Sequence, residues 1–285
     1  MIAAGIEYAE AGQGDPILCL HGIGGGIESF RPQLDEVVSP ADAGDPLGRA
    51  LPSPDPSQNT SGPKMGRVIS WNMPGYGASV ADIWPPSFED LSKALGRFIA
   101  ELGLERVHLV GQSIGGMLAL EHGLRRPDQV ATLTLIGTTP AFGGRDESFK
   151  TAFLKARLAP LEAGQSMAEM AADAAPHLVG PGATPDVLQA VAAPMAAVPE
   201  ATWRGILECL VTFNRRDDLS RVTQPCCLIA GAHDKNAPAR TMEKMAAKLP
   251  DAEYHLIETA GHMIQQEAQC ETNAILARFL ARHPI

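Results

Sequence analysis

The chain has 285 residues, 45% of them hydrophobic and 20% charged, and its formal net charge is −10. This length and composition predict a soluble globular protein with one α/β domain. The acidic balance and the lack of a Lys/Arg run argue against a nucleic-acid surface. No apolar stretch approaches the roughly 18 residues of a membrane-spanning helix, and no secretory signal is evident. The chain has five cysteines, an odd number, and their spacing does not match that of a zinc site. This pattern is typical of a protein whose cysteines are buried reduced thiols. We therefore expect a cytoplasmic protein that uses no metal.

Short apolar runs alternate with segments of helical periodicity along most of the chain. Such alternation predicts a mostly parallel twisted sheet with helices on both faces, in which ligands bind at the carboxyl ends of the strands. The predicted strands are 5–11, 16–20, 68–71, 107–110, 130–136, 226–230 and 253–257, and the predicted helices are 29–38, 87–102, one starting at 114, 239–248 and 267–281.

Two segments interrupt this alternation. Residues 39–66 are rich in Pro, Gly, Ser and Asp and have no periodicity, so we expect a loop insertion. Residues 142–221 are rich in Ala and Met, helical in pattern and without a strand signal, which predicts an inserted helical cap. The core is therefore expected in two parts, 1–141 and 222–285.

The sequence Gly111-Gln112-Ser113-Ile114-Gly115 joins a predicted strand to a predicted helix. At such a corner the glycines remove side chains that would clash, and the serine hydroxyl is pushed out over the sheet edge as a nucleophile. The backbone N–H of Ile114, at the helix start, can stabilise an oxyanion. The alternative is a glycine-rich turn with an incidental serine.

A second glycine-rich loop follows strand 16–20 and begins His21-Gly22-Ile23. It lacks the Lys and Ser/Thr of a phosphate-binding loop. We expect the N–H of Ile23 to be the second oxyanion donor, although a plain flexible turn explains the sequence equally well. We expect His21 to brace the loop through backbone hydrogen bonds rather than to act in catalysis.

Asp234 and His262 each follow a later predicted strand. Because the carboxyl ends of parallel strands share one edge, Ser113, Asp234 and His262 are expected to converge. In this arrangement His262 is the general base, Asp234 orients it, and Ser113 attacks a carbonyl carbon. Taken alone, Asp234 could instead cap the following helix, and His262 could be a loop histidine.

At these residues the chain resembles the α/β-hydrolase fold family, and the resemblance covers nearly the whole chain. The resemblance lies in His21-Gly22, the 73–79 turn, the 111–115 corner, Gly231-Ala232-His233-Asp234 and Gly261-His262. Within the family, the 135–140 and 199–203 segments are most similar to the β-ketoadipate enol-lactone hydrolases and related small esterases. The chain departs from the family pattern at Gln112, at Asn72, in the 39–66 insertion and in a truncated first strand.

The resemblance implies a serine hydrolase without a cofactor, acting on a small-molecule carboxylic ester or lactone through an acyl-enzyme. A carbon–carbon bond hydrolase of a ring-cleavage diketone is the first alternative, and a cofactor-free perhydrolase is a weaker one. A ligand-binding receptor on the same fold is the alternative from another class. An aspartate nucleophile, as in epoxide and carbon–halogen hydrolysis, is disfavoured because Ser113 holds that position.

Overall fold

The structure, a computed structural model, describes residues 1–37, 65–143 and 147–285. An eight-stranded sheet in the order β1-β2-β4-β3-β5-β6-β7-β8 forms its centre. β1 and β2 pair antiparallel, as do β2 and β4, and the remaining neighbours are parallel. The strands are β1 (Ile2–Ala3), β2 (Ile6–Ala11), β3 (Pro16–Leu20), β4 (Arg67–Trp71), β5 (Val107–Gln112), β6 (Val130–Ile136), β7 (Cys226–Gly231) and β8 (Ala252–Ile257).

Ten α-helices accompany the sheet in the described residues. They are α1 (Arg31–Val37), α2 (Phe88–Glu101), α3 (Ile114–Arg125), α4 (Glu147–Glu162), α5 (Met167–Leu178), α6 (Pro185–Ala196), α7 (Glu200–Leu210), α8 (Ala239–Ala246), α9 (Ile264–Glu267) and α10 (Gln269–Leu280). No helix in the described part of the chain is both long and apolar enough to cross a membrane.

The two faces of the sheet bury different residues of the same strands. In β3, Leu18 and Leu20 pack in one apolar cluster with residues of α2, α3 and α8, whereas Ile17 and Cys19 pack in another with residues of α1 and α10. Alternate residues of a strand point to opposite faces, so both sets are apolar only when both faces are covered. The predicted doubly covered, mostly parallel sheet is confirmed.

Helix α2 shows how a predicted element begins. Its Ser87 hydroxyl accepts a hydrogen bond from the Asp90 N–H, 3.2 Å, and the Asp90 carboxylate accepts one from the Ser87 N–H, 3.0 Å. This reciprocal cap satisfies N–H groups that have no partner within the helix. Leu91, Leu95 and Phe98 then recur on the buried face against the sheet.

Three expectations differ from the structure or lie outside it. β1 is a short strand that the sequence analysis did not predict; its two residues carry too little pattern to detect. The last helix, predicted over 267–281, starts earlier and is interrupted at Ala268, giving α9 and α10. The loop insertion predicted at 39–66 falls outside the described residues except for Met65 and Gly66.

Four helices, α4 to α7, lie between β6 and β7. We call residues 142–221 the helical segment. In the described residues, the sole β pairing outside the sheet is a bridge between Ala141, which directly precedes the segment, and Asn214, near its other end. The segment therefore begins after β6 and ends before β7, and this bridge holds residues near its two ends close together.

Candidate active site

Ser113 occupies the sharp corner between β5 and α3. Its backbone, at φ 55° and ψ −119°, lies in a region that residues with a side chain rarely adopt. A Cβ at Gly111 would collide with the Gly115 carbonyl oxygen, and one at Gly115 would collide with the Leu20 carbonyl oxygen. Because glycine has no Cβ, neighbouring backbone atoms can lie where a side chain would otherwise be, and the sharp corner can form. This is the geometry expected of a strand-to-helix turn that carries a nucleophile.

Asp234 and His262 form a hydrogen-bonded pair. His262 Nδ1–H donates to Asp234 Oδ2, 2.8 Å, and Asp234 Oδ1 accepts from the N–H groups of Asn236, 2.7 Å, and Ala237, 2.9 Å. Burial alone would raise the pKa of Asp234, but His262 and these hydrogen bonds outweigh it and hold that pKa below its ordinary value. The carboxylate is thus ionised and leaves His262 Nε2 free to accept a proton.

Ser113 and His262 open on one cavity of about 530 Å³. Asp234 lies behind His262 and is 5% exposed. The three residues predicted as a triad are therefore gathered at one edge of the sheet, although no direct hydrogen bond joins Ser113 to His262. The cavity is otherwise mainly apolar, with lining side chains that include Met117, Phe142, Phe149, Phe153, Leu178, Met195, Trp203, Leu207, Leu210 and Met263.

The two residues expected to donate oxyanion N–H groups are Ile23, in the loop after β3, and Ile114, directly after Ser113. Ile23 lines the cavity, and its carbonyl accepts from the Tyr76 hydroxyl, 2.7 Å, which fixes the loop. Ile114 has a fully buried side chain and is the first residue of α3. The N–H of a first helical residue has no acceptor within its helix, so it is available to a bound oxyanion.

His21 braces the loop that carries Ile23, as the sequence analysis expected. The Met73 N–H donates to His21 Nε2, 2.9 Å, so Nδ1 carries the proton and donates to the Gly22 carbonyl, 2.7 Å. The ring is fully buried and packs edge-on against Tyr76. Burial lowers the pKa of His21 to about 4, so the imidazole is neutral and serves as a structural link.

Three further side chains support the site, and the sequence analysis did not assign them roles there. Gln112 Nε2 donates to the His262 carbonyl, 3.0 Å, and Thr138 Oγ1 donates to the Ser113 carbonyl, 2.7 Å. Glu267 accepts from the Gly261 and Met263 N–H groups on both sides of His262. Gln112 and Thr138 act on backbone 150 and 25 residues away, where no local motif marks them, whereas Glu267 acts on backbone 6 and 4 residues away.

One group of side chains elsewhere could ligate a metal ion. Cys227, Glu253 and His255, on neighbouring strands β7 and β8, have ligand atoms within 4.8 Å of one another. The Glu253 carboxylate is already bonded to His255 Nε2, 2.9 Å, and paired with Arg282. None of the three lines the Ser113 cavity.

Comparison with known proteins identifies the class to which this fold and site belong. Residues 15–269 match the profile of the α/β hydrolase fold. The chain therefore belongs to the α/β-hydrolase fold family. Because this family match is accompanied by relatives that are hydrolases, the chain is a hydrolase.

The names of the individual relatives describe several different activities. The chain is 33% identical to a pimeloyl-[acyl-carrier protein] methyl ester esterase of Aromatoleum aromaticum over 69% of this chain and 80% of that protein. It is 29% identical over 76% of its length to the dihydrolipoyllysine-residue acetyltransferase component of the acetoin cleaving system of Pseudomonas putida, of which it spans 57%. The enol-lactonase of Burkholderia xenovorans LB400 has the same fold, with a TM-score of 0.77, 17% identity, and coverage of 97% of this chain and 96% of that one.

Proposed function

We propose that the protein is a serine hydrolase that cleaves a carboxylic ester or lactone. The observation that supports this most is the Asp234–His262 hydrogen bond, 2.8 Å, beside a strained Ser113 on the same cavity. Asp234 orients His262 with Nδ1 protonated, which is the form a general base needs when its Nε2 must face the nucleophile. A structural histidine would not require this pairing at the edge of a cavity.

The reaction follows from these positions. Ser113 Oγ attacks the carbonyl carbon of the substrate while His262 Nε2 takes the hydroxyl proton. The backbone N–H groups of Ile23 and Ile114 stabilise the negative charge on the carbonyl oxygen. His262 then returns the proton to the leaving alkoxide, an acyl-enzyme remains, and water attacks it with His262 again acting as base.

The helical segment is proposed to act as the cap that selects the substrate. It contributes Phe149, Phe153, Met195, Trp203 and Leu207 to the cavity lining. Such side chains favour an apolar acyl or alcohol group next to the scissile bond. The uncharged polar residues Gln112, Ser113, Thr138 and Thr139 of the lining lie at strand ends, where the carbonyl is proposed to react.

The test compares hydrolysis of 4-nitrophenyl acetate and butyrate, with fluorophosphonate labelling, in the wild type and in Ser113→Ala. Ser220→Ala is the matched control, because this exposed serine does not line the cavity. We expect wild type and control to turn over esters and to be labelled, and Ser113→Ala to lose both. Full turnover in Ser113→Ala would show that another group is the nucleophile.

The alternatives give different results in the same assay. A carbon–carbon bond hydrolase would be labelled at Ser113 and would cleave a ring-cleavage diketone far faster than either ester. A receptor would bind its ligand tightly in both the wild type and Ser113→Ala without turnover. A perhydrolase would require hydrogen peroxide for product formation from a carboxylic acid.

A further inference from the structure

All the charged side chains lining the cavity in the described residues, leaving His262 aside, are cationic. They are Arg157, Arg216 and Lys235. No Asp or Glu among the described residues lines the cavity, although the whole chain carries a net charge of −10. The cavity lining therefore has the opposite charge to the whole chain, and such a local field attracts anions.

Arg157 is the most strongly held of the three. It extends from α4, its Nη2 donates to Asn236 Oδ1, 3.0 Å, and its guanidinium carbon lies 5.2 Å from the centre of the Phe153 ring. Asn236 is itself fixed, because its N–H donates to Asp234 Oδ1. The guanidinium is thus positioned across the gap between the helical segment and the loop that carries the triad acid.

Arg157 has no carboxylate partner in the described parts of the chain. Burial lowers its pKa, yet an arginine remains charged under all ordinary conditions. A partly desolvated cation that has only a neutral amide and an aromatic ring beside it gains free energy when an anion binds. Its remaining N–H groups can donate to a carboxylate in a two-point arrangement.

The other two cations differ in surroundings. Arg216 Nη2 donates to the Gly143 carbonyl, 2.9 Å, and Arg216 also borders a second, smaller cavity whose lining includes Glu147, Lys150 and Asp217. Lys235 is exposed and follows Asp234 directly. Lys235 is thus the sequence neighbour of Asn236, to which Arg157 donates, whereas Glu147 and Asp217 line the second cavity together with Arg216.

We propose that the substrate carries a carboxylate at the end remote from the scissile carbonyl, and that Arg157, assisted by Lys235, binds it. The apolar lining then holds the carbon chain that separates the two ends. This assignment rests on the proposed ester or lactone chemistry for the reacting end, and it adds a selectivity for acid esters that Ser113, His262 and Asp234 do not supply.

The turnover test uses two esters with the same six-carbon acyl chain. These are the 4-nitrophenyl monoester of adipic acid, which has a free carboxylate, and the neutral 4-nitrophenyl hexanoate. We expect the wild type to prefer the acid ester by roughly 10-fold or more in kcat/KM, as hydrogen bonds to a charged group suggest. Arg157→Gln should abolish this preference through a higher KM for the acid ester.

Two other variants complete the turnover test. Arg157→Lys should restore part of the preference, because it keeps the charge but not the two-point geometry. Arg240→Gln removes a positive charge from α8 without touching the cavity lining and should leave the preference unchanged. Equal turnover of the two esters by the wild type, or a preference that survives in Arg157→Gln and Lys235→Gln, would overturn the assignment.

A binding experiment separates this inference from the proposed chemistry. In Ser113→Ala, calorimetry measures the Kd of adipic acid monomethyl ester and of methyl hexanoate without turnover. Tighter binding of the acid ester that disappears in Ser113→Ala with Arg157→Gln supports the anion site, even if the wild type hydrolyses neither ester and the proposed function fails. Equal affinities for the two compounds would exclude the anion site while leaving an ester hydrolase intact.

Discussion

The cavity is bounded by two regions whose side chains are held in different ways. In the strand-end loops (residues 21–26, 112–116, 137–140, 231–238 and 258–263), several side chains are hydrogen-bonded to backbone, as Asp234 is to Asn236 and Ala237 and Gln112 is to His262. In the helical segment, Phe142, Phe149 and Phe153 meet through ring contacts with centroids 4.7 to 5.8 Å apart, and Phe149 is 52% exposed.

This difference indicates how each region can change. A hydrogen bond to backbone fixes a side-chain atom in distance and angle, so one altered atom removes it. Apolar packing has no direction and tolerates replacement by a side chain of similar volume. We infer that the strand-end loops carry the chemistry and that the helical segment adapts it to a substrate.

Replacing Asp234 by Asn gives the largest expected effect. The Asn side-chain oxygen can still accept from the Asn236 and Ala237 N–H groups, so the loop should persist. Its NH₂ group, however, would donate to His262 Nδ1 and force the ring proton onto Nε2. His262 Nε2 could then no longer accept the Ser113 proton. We expect kcat for ester hydrolysis to fall roughly 10⁴-fold with an unchanged thermal midpoint. Asp128→Asn, on an exposed turn, is the control, and a loss under tenfold in Asp234→Asn would refute the assigned role.

The positions of Ser113, Asp234 and His262 could be predicted from sequence because each depends on a local rule. The two glycines of the corner are required by backbone contacts within a few residues or with the adjacent strand β3, and the parallel sheet brings the strand ends to one edge. The roles of Arg157 and Gln112 could not be predicted in this way. Their partners, Asn236 for Arg157 and the His262 carbonyl for Gln112, lie 79 and 150 residues away, and only the tertiary arrangement joins them.

A second prediction compares two glycines, one in each region. A Cβ at Gly115 would collide with the Leu20 carbonyl oxygen, which belongs to a central strand and cannot move, whereas one at Gly182 would meet nothing within 4 Å. We expect Gly115→Ala to lower the free energy of unfolding in urea by about 3 kcal/mol or more. Gly182→Ala should change it by less than about 0.5 kcal/mol. Similar losses in both variants would mean that the strand-end loops are no more tightly packed than the helical segment.

The smallest expected effect comes from comparing a histidine of the sheet with a histidine of the helical segment. His108 in β5 is 1% exposed and hydrogen-bonded to Thr132 Oγ1, 2.9 Å, whereas His177 in the helical segment is exposed. Burial lowers the pKa of His108 to about 4, against 6.5 for a free histidine. Between these values the unfolded chain binds a proton that the folded chain does not, so the stability contributed at neutral pH is lost as the pH falls.

At pH 5 this difference at His108 corresponds to about 2 kcal/mol of unfolding free energy relative to pH 7.5. His108→Asn keeps a group that can bond to Thr132 but does not titrate, so its unfolding free energy in urea should fall by about 2 kcal/mol less than that of the wild type over this range. His177→Gln, which replaces an exposed histidine of the helical segment, is the matched control. A His108→Asn curve parallel to the wild type would show that the sheet accommodates the protonated ring, and that its interior is as permissive as the helical segment.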